Sequence, residues 1–404
     1  MISNPVSLTR KGIGGKMEKV RRIGIFTGGG DVPGLNTAIR DLTVRAYKEG
    51  GHEVIGIRRG WGGLVYRDPS SKEVNDDHTV ELNPENVRNV HRTGGTFLHT
   101  SRTNPLKVEH HRDLEIFRRI QPFDGERDMT DDVMANLESL RIDALVVIGG
   151  DDTLSYARYL NEKFRFPIVA IPKTMDNDVA GTDYCIGFAT AVERARALLT
   201  DFRTPLSSHE RIGVVRIFGR HSGFTALYSS LAAKCDRVLI PEVPYDINLV
   251  TDLILSDREK NPSRYALLLV AEGVHPHDGE IVYQEDKKDP YGHKKLGGIE
   301  KAIAKHLREK TGVDTMDEEL TYHIRGGDPG AKDIITASYF ANLAFELLNA
   351  GQSGRMVAIR NGVFTHVPLE ETAASPTTVD VGRFYNLGRY RPQYAHLMGA
   401  VSRL

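Results

Sequence analysis

Cysteine is nearly absent: only Cys185 and Cys235 occur in 404 residues. They lie far apart and lack CxxC spacing, so neither a disulfide framework nor a structural zinc site is expected, and a reducing, cytoplasmic setting is. No charge of either sign is in excess, with 53 Lys and Arg against 54 Asp and Glu, a net of −1. That balance argues against a sequence-blind nucleic-acid partner or attachment to an acidic membrane surface. No apolar run approaches the ~20 residues needed to span a bilayer, so no membrane partner is expected. Tryptophan occurs once, as Trp61, and no internal repeat of fixed period is present. Glycine is plentiful at 39 residues, and 40% of the chain is hydrophobic. The length therefore suits one large domain or two of ordinary size with a sizeable core.

Residues 1–21 read as a flexible basic extension with no apolar core of a secretion signal, and Met17 is an alternative start. From Arg22 the pattern becomes strand, loop, helix. Ile23–Thr27 is an apolar run, Gly28-Gly29-Gly30-Asp31-Val32-Pro33-Gly34 a loop, and Leu35, Ile39, Leu42 and Ala46 share one face of a helix ending at Gly50-Gly51. Glycines between a strand and a helix let backbone N–H groups approach an anion, although this loop satisfies neither the dinucleotide fingerprint nor the Walker pattern. His52–Ile57 predicts a second strand, Arg58–Leu64 a turn around Trp61, and Asn83-Pro84 a helix start. Thr93–Arg102 is a loop of small residues ending in a cation, and 103–142 reads as charged and helical, with an insertion around Gln121–Asp128.

A buried strand over Asp143–Ile148 runs into Gly149-Gly150-Asp151-Asp152-Thr153. Adjacent acids at an anion site make sense when a divalent cation bridges them to phosphate, while an acidic pair favouring a helix N-terminus is the plainer alternative. A further strand, Ile168–Ile171, leads into Pro172-Lys173-Thr174-Met175-Asp176-Asn177-Asp178, with a lysine, a hydroxyl and two carboxylates. Taken alone this is an ordinary polar turn. After it, Phe188, Val192, Ala195 and Leu199 mark a helix, Arg211–Phe218 a strand ending in Gly219-Arg220, and Val238–Pro241 and Ala266–Val270 more strands, the last leading to Glu272. His275–Gly298 reads as a polar loop. Tyr322–Gly327 precedes a helix with Ala337, Ala341, Ala344 and Leu348 on one side, and Met356–Ile359 is a late strand. The alternation predicts an α/β fold: two similar doubly wound, Rossmann-like lobes facing an active-site cleft. Glycine loops, acids suited to a metal, and arginines at 102, 211, 220 and 325 together point to phosphoryl transfer.

The motifs GGGDVPGLN, GGTFLHTSR, GGDDT, PKTMDND, RIGVVRIFGR, AEG and RGG, in that order, resemble the phosphofructokinase family from Arg22 to Gly327 and through the following helix. The resemblance implies phosphorylation of the 1-hydroxyl of fructose 6-phosphate with Mg2+ and with ATP or pyrophosphate as donor. It implies a donor and metal lobe at 22–187 plus about 328–380, and a sugar-phosphate lobe at 188–327 plus the C-terminal segment. Asp176 matches the base, with Asp178 its neighbour, and Thr174 a contact to the sugar or the moving phosphoryl group. Gly30 and Arg102 match donor-phosphate contacts, and Asp151 the Mg2+ ligand. Phe218, Gly219 and Arg220 match the substrate turn, where methionine is commoner in the first place. Glu272 matches a contact to sugar hydroxyls, and Tyr322 with Arg325 the sugar-phosphate block. Arg211 resembles an arginine that reaches a neighbouring subunit, which implies a homodimer or homotetramer.

Asp152 and Lys173 bear on the donor, because ATP-using relatives usually have glycine at the first position and many at the second. A carboxylate at Asp152 would face the α-phosphate of a nucleotide, and two unit charges 4 Å apart cost about 4 kcal/mol at an effective dielectric of ~20. The resemblance is thus to the pyrophosphate-dependent branch, with lysine the weaker of the two markers. An ATP-dependent enzyme, or a non-catalytic sugar-phosphate-binding subunit, is the alternative. The final block departs from the family in having Ile324 before Arg325 and no arginine upstream near Asp314–Glu318. Lys294 or Lys295 would substitute there, or the 6-phosphate would be held more weakly, leaving room for other sugar phosphates such as sedoheptulose 7-phosphate.

Overall fold

The computed structural model describes residues 21–68, 77–109, 125–277, 283–288, 294–296 and 298–393. The basic extension up to residue 20, and the expected insertion up to residue 124, lie outside the described residues.

The first lobe opens with β1 (Arg22–Thr27), α1 (Leu35–Glu49), β2 (Glu53–Ile57) and β3 (Thr79–Leu82). It continues through α2 (Thr130–Ser139), β4 (Ala144–Gly149), α3 (Asp151–Phe164) and β5 (Ile168–Pro172). Helix α4 (Phe188–His209) carries the chain into the second lobe: β6 (Ile212–Ile217), α5 (Phe224–Ala233), β7 (Arg237–Leu239), α6 (Ile247–Lys260) and β8 (Ala266–Ala271). Strands β9 (Tyr283–Lys288) and β10 (Lys294–Leu296), then α7 (Ile299–Thr311) and β11 (Thr315–Glu319), follow. Helix α8 (Ala331–Asn349) returns the chain to β12 (Arg355–Arg360) and β13 (Val363–Pro368).

Among the described residues the first sheet has seven strands in the order β13-β12-β5-β4-β1-β2-β3, the second four in the order β11-β6-β8-β7. Strands β12, β5, β4, β1 and β2 run parallel, with β13 and β3 antiparallel at the edges. The second sheet is parallel throughout. The two α/β lobes expected from sequence are present, with sheets of different width among the described residues.

Side-chain alternation explains why the central strands are unbroken apolar runs. Ile23, Ile25, Val146, Ile148, Val169 and Ile171 enter one buried cluster, while Phe26, Leu145, Val147, Ile168 and Ala170 enter another on the opposite face. Both faces are covered, so both alternating sets of positions are mainly apolar. Trp61 packs edge-on against Phe26 and Tyr156 in the second cluster. The first cluster runs on without a break into the core of the second lobe through α4 and α5.

Three readings need correction, and several elements were not anticipated. Asn83 does cap the backbone, its Oδ1 accepting from Glu85 and Asn86, but only turns and a 3-10 turn at Val90–Arg92 follow, with no α-helix. Among the described residues of 103–142 the helix is α2, and Val108–Glu109 pairs with Glu126–Arg127 as a short ribbon rather than helix. The segment 275–298 contains the β9–β10 hairpin. Strands β3, β11 and β13 and helices α6 and α7 were not anticipated. Among the described residues no helix is long and apolar enough to cross a membrane.

Candidate active site

Strand order reverses beside β1, since β1 pairs with β2 on one side and β4 on the other. Open α/β sheets bind ligands at the carboxyl edge of such a point. A cleft of about 410 Å³ lies there, bounded by loops from both lobes. Gly30, Arg102, Asp151, Asp152, Lys173, Thr174, Asp176 and Asp178 line it from the first lobe, and Phe218, Arg220, Glu272 and Arg325 from the second. Twelve of the fifteen residues singled out from sequence thus meet in one cavity.

The first-lobe half of the cleft is built from three strand ends. The N–H of Gly28 bonds to Ile148, that of Gly29 to Ser101, and that of Lys173 to Gly149. Lys173 is 4% exposed, and its Nζ donates to the Gly30 carbonyl at 2.6 Å. Burial, reinforced by Arg325 and Arg102, pushes its ammonium down to about 8. Asp151 and Asp152 form the first turn of α3, where their charge favours the helix dipole. That plainer role does not account for Asp151 Oδ1, which is buried without a hydrogen-bond partner. Burial, then the charges of Asp178 and Asp152, pushes the Asp151 carboxyl up to about 7.

An orphaned oxygen on a destabilised carboxylate is what a divalent cation would relieve, so these residues fit Mg2+. Among the described residues no group of three or more ligating side chains stands ready to enclose a metal. Phosphate oxygens and water would complete the shell, as is usual for Mg2+.

The loop after β5 is held by Asn177, which is 1% exposed and adopts φ 53°, a left-handed conformation asparagine tolerates. Its Nδ2 donates to the Asp183 carbonyl and its Oδ1 accepts from Cys185, which leaves Asp176 and Asp178 on either side. Thr225 ties the same loop to the second lobe by donating to the Met175 carbonyl at 2.6 Å. Asp176 Oδ2 lies 3.5 Å from the Arg220 backbone N. Burial pushes the Asp176 carboxyl well above the usual range, and the charges of Asp178 and Glu272 add to this. Burial also brings Asp178 up to about 6.

On the second-lobe side, Gly219 has φ 131° with the Ser222 carbonyl 2.8 Å from where a Cβ would sit, so no side chain fits the turn. Arg325 lies between the rings of Phe218 and Tyr322, 5.9 and 5.4 Å from their centroids, and pairs with Asp31 of the first glycine loop. Tyr322 is itself 66% exposed and contributes through this stacking. Across the lobes, a Cβ on Gly94 would fall 1.9 Å from the Gly327 carbonyl oxygen, so the two loops touch by backbone alone. Arg211 is not brought to the cleft: it precedes the amino end of β6 and pairs with Asp314 at 3.5 Å. The side chains of Lys294 and Lys295 lie outside what is described.

Sequence reasoning missed Asp31, Asn177 and the C-terminal segment. Asp31 sat inside a quoted motif, and Asn177 was legible as an αL-tolerant residue between two acids. Thr372, Ala374 and Pro376 also line the cleft, and nothing in their composition marks them. Beyond them the Thr377 N–H donates to Asp178 and that of Val379 to Glu242, so the chain crosses from the first lobe to the second.

The chain matches the family model described as phosphofructokinase over residues 22–348. It is 37% identical over 368 residues to a pyrophosphate–fructose 6-phosphate 1-phosphotransferase of Streptomyces coelicolor, covering 91% of this chain and 98% of that one. It is 36% identical over 363 residues to an ATP-dependent 6-phosphofructokinase 3 of the same organism, covering 90% and 98%. Among solved structures it superposes with TM-score 0.72 on a pyrophosphate-dependent phosphofructokinase of Nitrosospira multiformis, at 16% identity and covering 92% and 89%, which speaks to the fold. On its match over most of its length, the chain belongs to the phosphofructokinase family.

Proposed function

We propose that this enzyme transfers a phosphoryl group from pyrophosphate to the 1-hydroxyl of fructose 6-phosphate, giving fructose 1,6-bisphosphate and phosphate reversibly. The observation that carries the donor assignment is Asp152 on the cleft wall beside Asp151, with the buried Lys173 opposite. A nucleotide would have to lay its α-phosphate along the Asp152 carboxylate, whereas pyrophosphate ends before it. Related proteins carry both donor names at nearly equal identity, so the residues of this chain bear the argument.

Asp176 takes the proton from the 1-hydroxyl as the oxygen attacks phosphorus. Its raised proton affinity suits a base that must both accept and return a proton in a reversible transfer. Lys173 and Arg102 neutralise charge on the donor phosphates, and the Gly30 backbone supports them. Asp151 would hold Mg2+, which, when bound, would supply positive charge against the donor phosphates. Arg220 and Glu272 orient the sugar, Thr174 stands between it and the moving phosphoryl group, and Arg325 with its aromatic neighbours takes the 6-phosphate.

The test measures fructose 1,6-bisphosphate formation with pyrophosphate and with ATP, each with Mg2+. Turnover with pyrophosphate and little with ATP is expected. The reverse result would make this an ATP-dependent enzyme, the reading favoured by relatives of that name.

A further inference from the structure

Arg216 lies in β6, behind the residues that line the cleft. Its side chain is 3% exposed, yet it meets carboxylates from three other elements. Glu319, directly opposite it in register on β11, pairs with it at 2.5 Å. Glu300, in the first turn of α7 and 2% exposed, pairs at 2.9 Å. Glu272, which follows β8 and lines the cleft, lies 3.9 Å away. Glu319 in turn accepts from Thr321 at the start of the turn that carries Tyr322 and Arg325. Arg216 itself stands two residues before Phe218 and four before Arg220.

We propose that Arg216 is the positioning residue of the sugar half: one buried guanidinium that aims the Glu272 carboxylate and fixes the Glu319–Arg325 segment, so that both meet the same sugar phosphate. The inference rests on Glu272 and Arg325 being sugar contacts, as put forward above. Two points of the sugar site meet at this side chain, its own strand end and Glu272, and β11 and the first turn of α7 hold it from behind. None of them touches it from the donor side. The groups facing Glu272 are Arg216 and Arg220 from β6 and its turn, Arg102 from the first lobe, Glu319 from β11 and Asp176 from the catalytic loop. Burial raises the proton affinity of Glu272, and Arg220, Arg216 and Arg102 each oppose that rise.

Removing Arg216 alone leaves Glu300 buried and unpaired, which threatens folding. The informative variant is therefore Arg216→Met combined with Glu300→Gln, which removes charge from both partners. It is measured beside Arg216→Lys and Glu272→Gln, with melting temperature, KM for fructose 6-phosphate, KM for pyrophosphate and kcat as readouts. The double variant is expected to melt near the parent and to raise the sugar KM more than tenfold. Its pyrophosphate KM should stay within twofold, and Arg216→Lys should recover part of the loss. A double variant of parental stability and parental sugar KM would reduce Arg216 to a structural ion pair and overturn the proposal. Equal rises in both KM values would do the same. An unchanged sugar KM in Glu272→Gln would instead remove the foundation, showing that Glu272 does not serve the sugar.

Discussion

Asp176 must be ionised to accept a proton, yet burial, Asp178 and Glu272 all favour its neutral form. As pH falls through its raised proton affinity the base is lost, so kcat/KM should show an acid limb above the ordinary carboxylate range. Asp178→Asn removes a negative neighbour, lowers the proton affinity of Asp176, and should move that limb to lower pH; a limb that stays put would assign it to another group. Asp176→Ser should reduce kcat by about 10²–10⁴-fold, with fructose 6-phosphate binding by calorimetry retained. Asp152→Gly removes the charge facing a nucleotide, and a measurable gain in ATP binding is expected, since about 4 kcal/mol of repulsion at an effective dielectric of ~20 is relieved. The residues behind these predictions were legible because their chemistry is carried by charged side chains in short motifs. Asp31 was not: its pairing with Arg325 joins loops from opposite lobes, and nothing local to either one announces it.

The joint between the lobes is made where α4 and α8 begin. Helix α4 starts after Gly187, at φ 105°, with no side-chain cap of its own. Asp333, in the first turn of α8 and fully buried, supplies one from outside. It accepts from the backbone N–H of Gly187 and Thr190, from the Thr190 hydroxyl and from the Tyr184 hydroxyl. A carboxylate that satisfies the orphan donors of another helix pins both chain crossings together. Asp333→Ala strands four buried donors and should destabilise the protein by about 3 kcal/mol or more, read as a fall in the urea midpoint. Asp333→Asn, which keeps acceptor capacity, should lose less. Elements of this kind divide by how visible they are. Central strands with both faces buried, and α1, α4 and α8 with apolar stripes, follow from composition. Strand β11 reads TMDEE and sits at a sheet edge, where charge is tolerated because one side needs no partner. Its register against β6, which brings Glu319 to Arg216, is a tertiary fact that no period in five residues could reveal. Asn83-Pro84 misled for the converse reason: the cap is real, and the segment after it lacks an apolar stripe to hold a helix.

Arg211 is the one matched arginine that its own chain keeps away from the cleft. It stands at the amino end of β6, whereas Phe218 and Arg220 leave the carboxyl end, six strand residues away. At roughly 3.3 Å per residue that separation is about 20 Å, beyond the reach of any side chain. Its pair with Asp314 is partly exposed and so worth little to stability. An arginine placed this way serves the reaction only if a second copy presents its cleft to that end of the sheet. The oligomer that the family resemblance implies can therefore be tested without solving its structure. Arg211→Ala, lacking the cation lent to its neighbour, and Asp176→Ser, lacking its own base, should each be impaired alone. Unfolded together and refolded as a mixture, they form hybrids in which the cleft of the Arg211→Ala chain holds an intact Asp176 and receives Arg211 from the Asp176→Ser chain. Activity should return in the mixture and in neither variant refolded by itself. Its absence, with hybrids demonstrated by mass, would confine each site to a single chain.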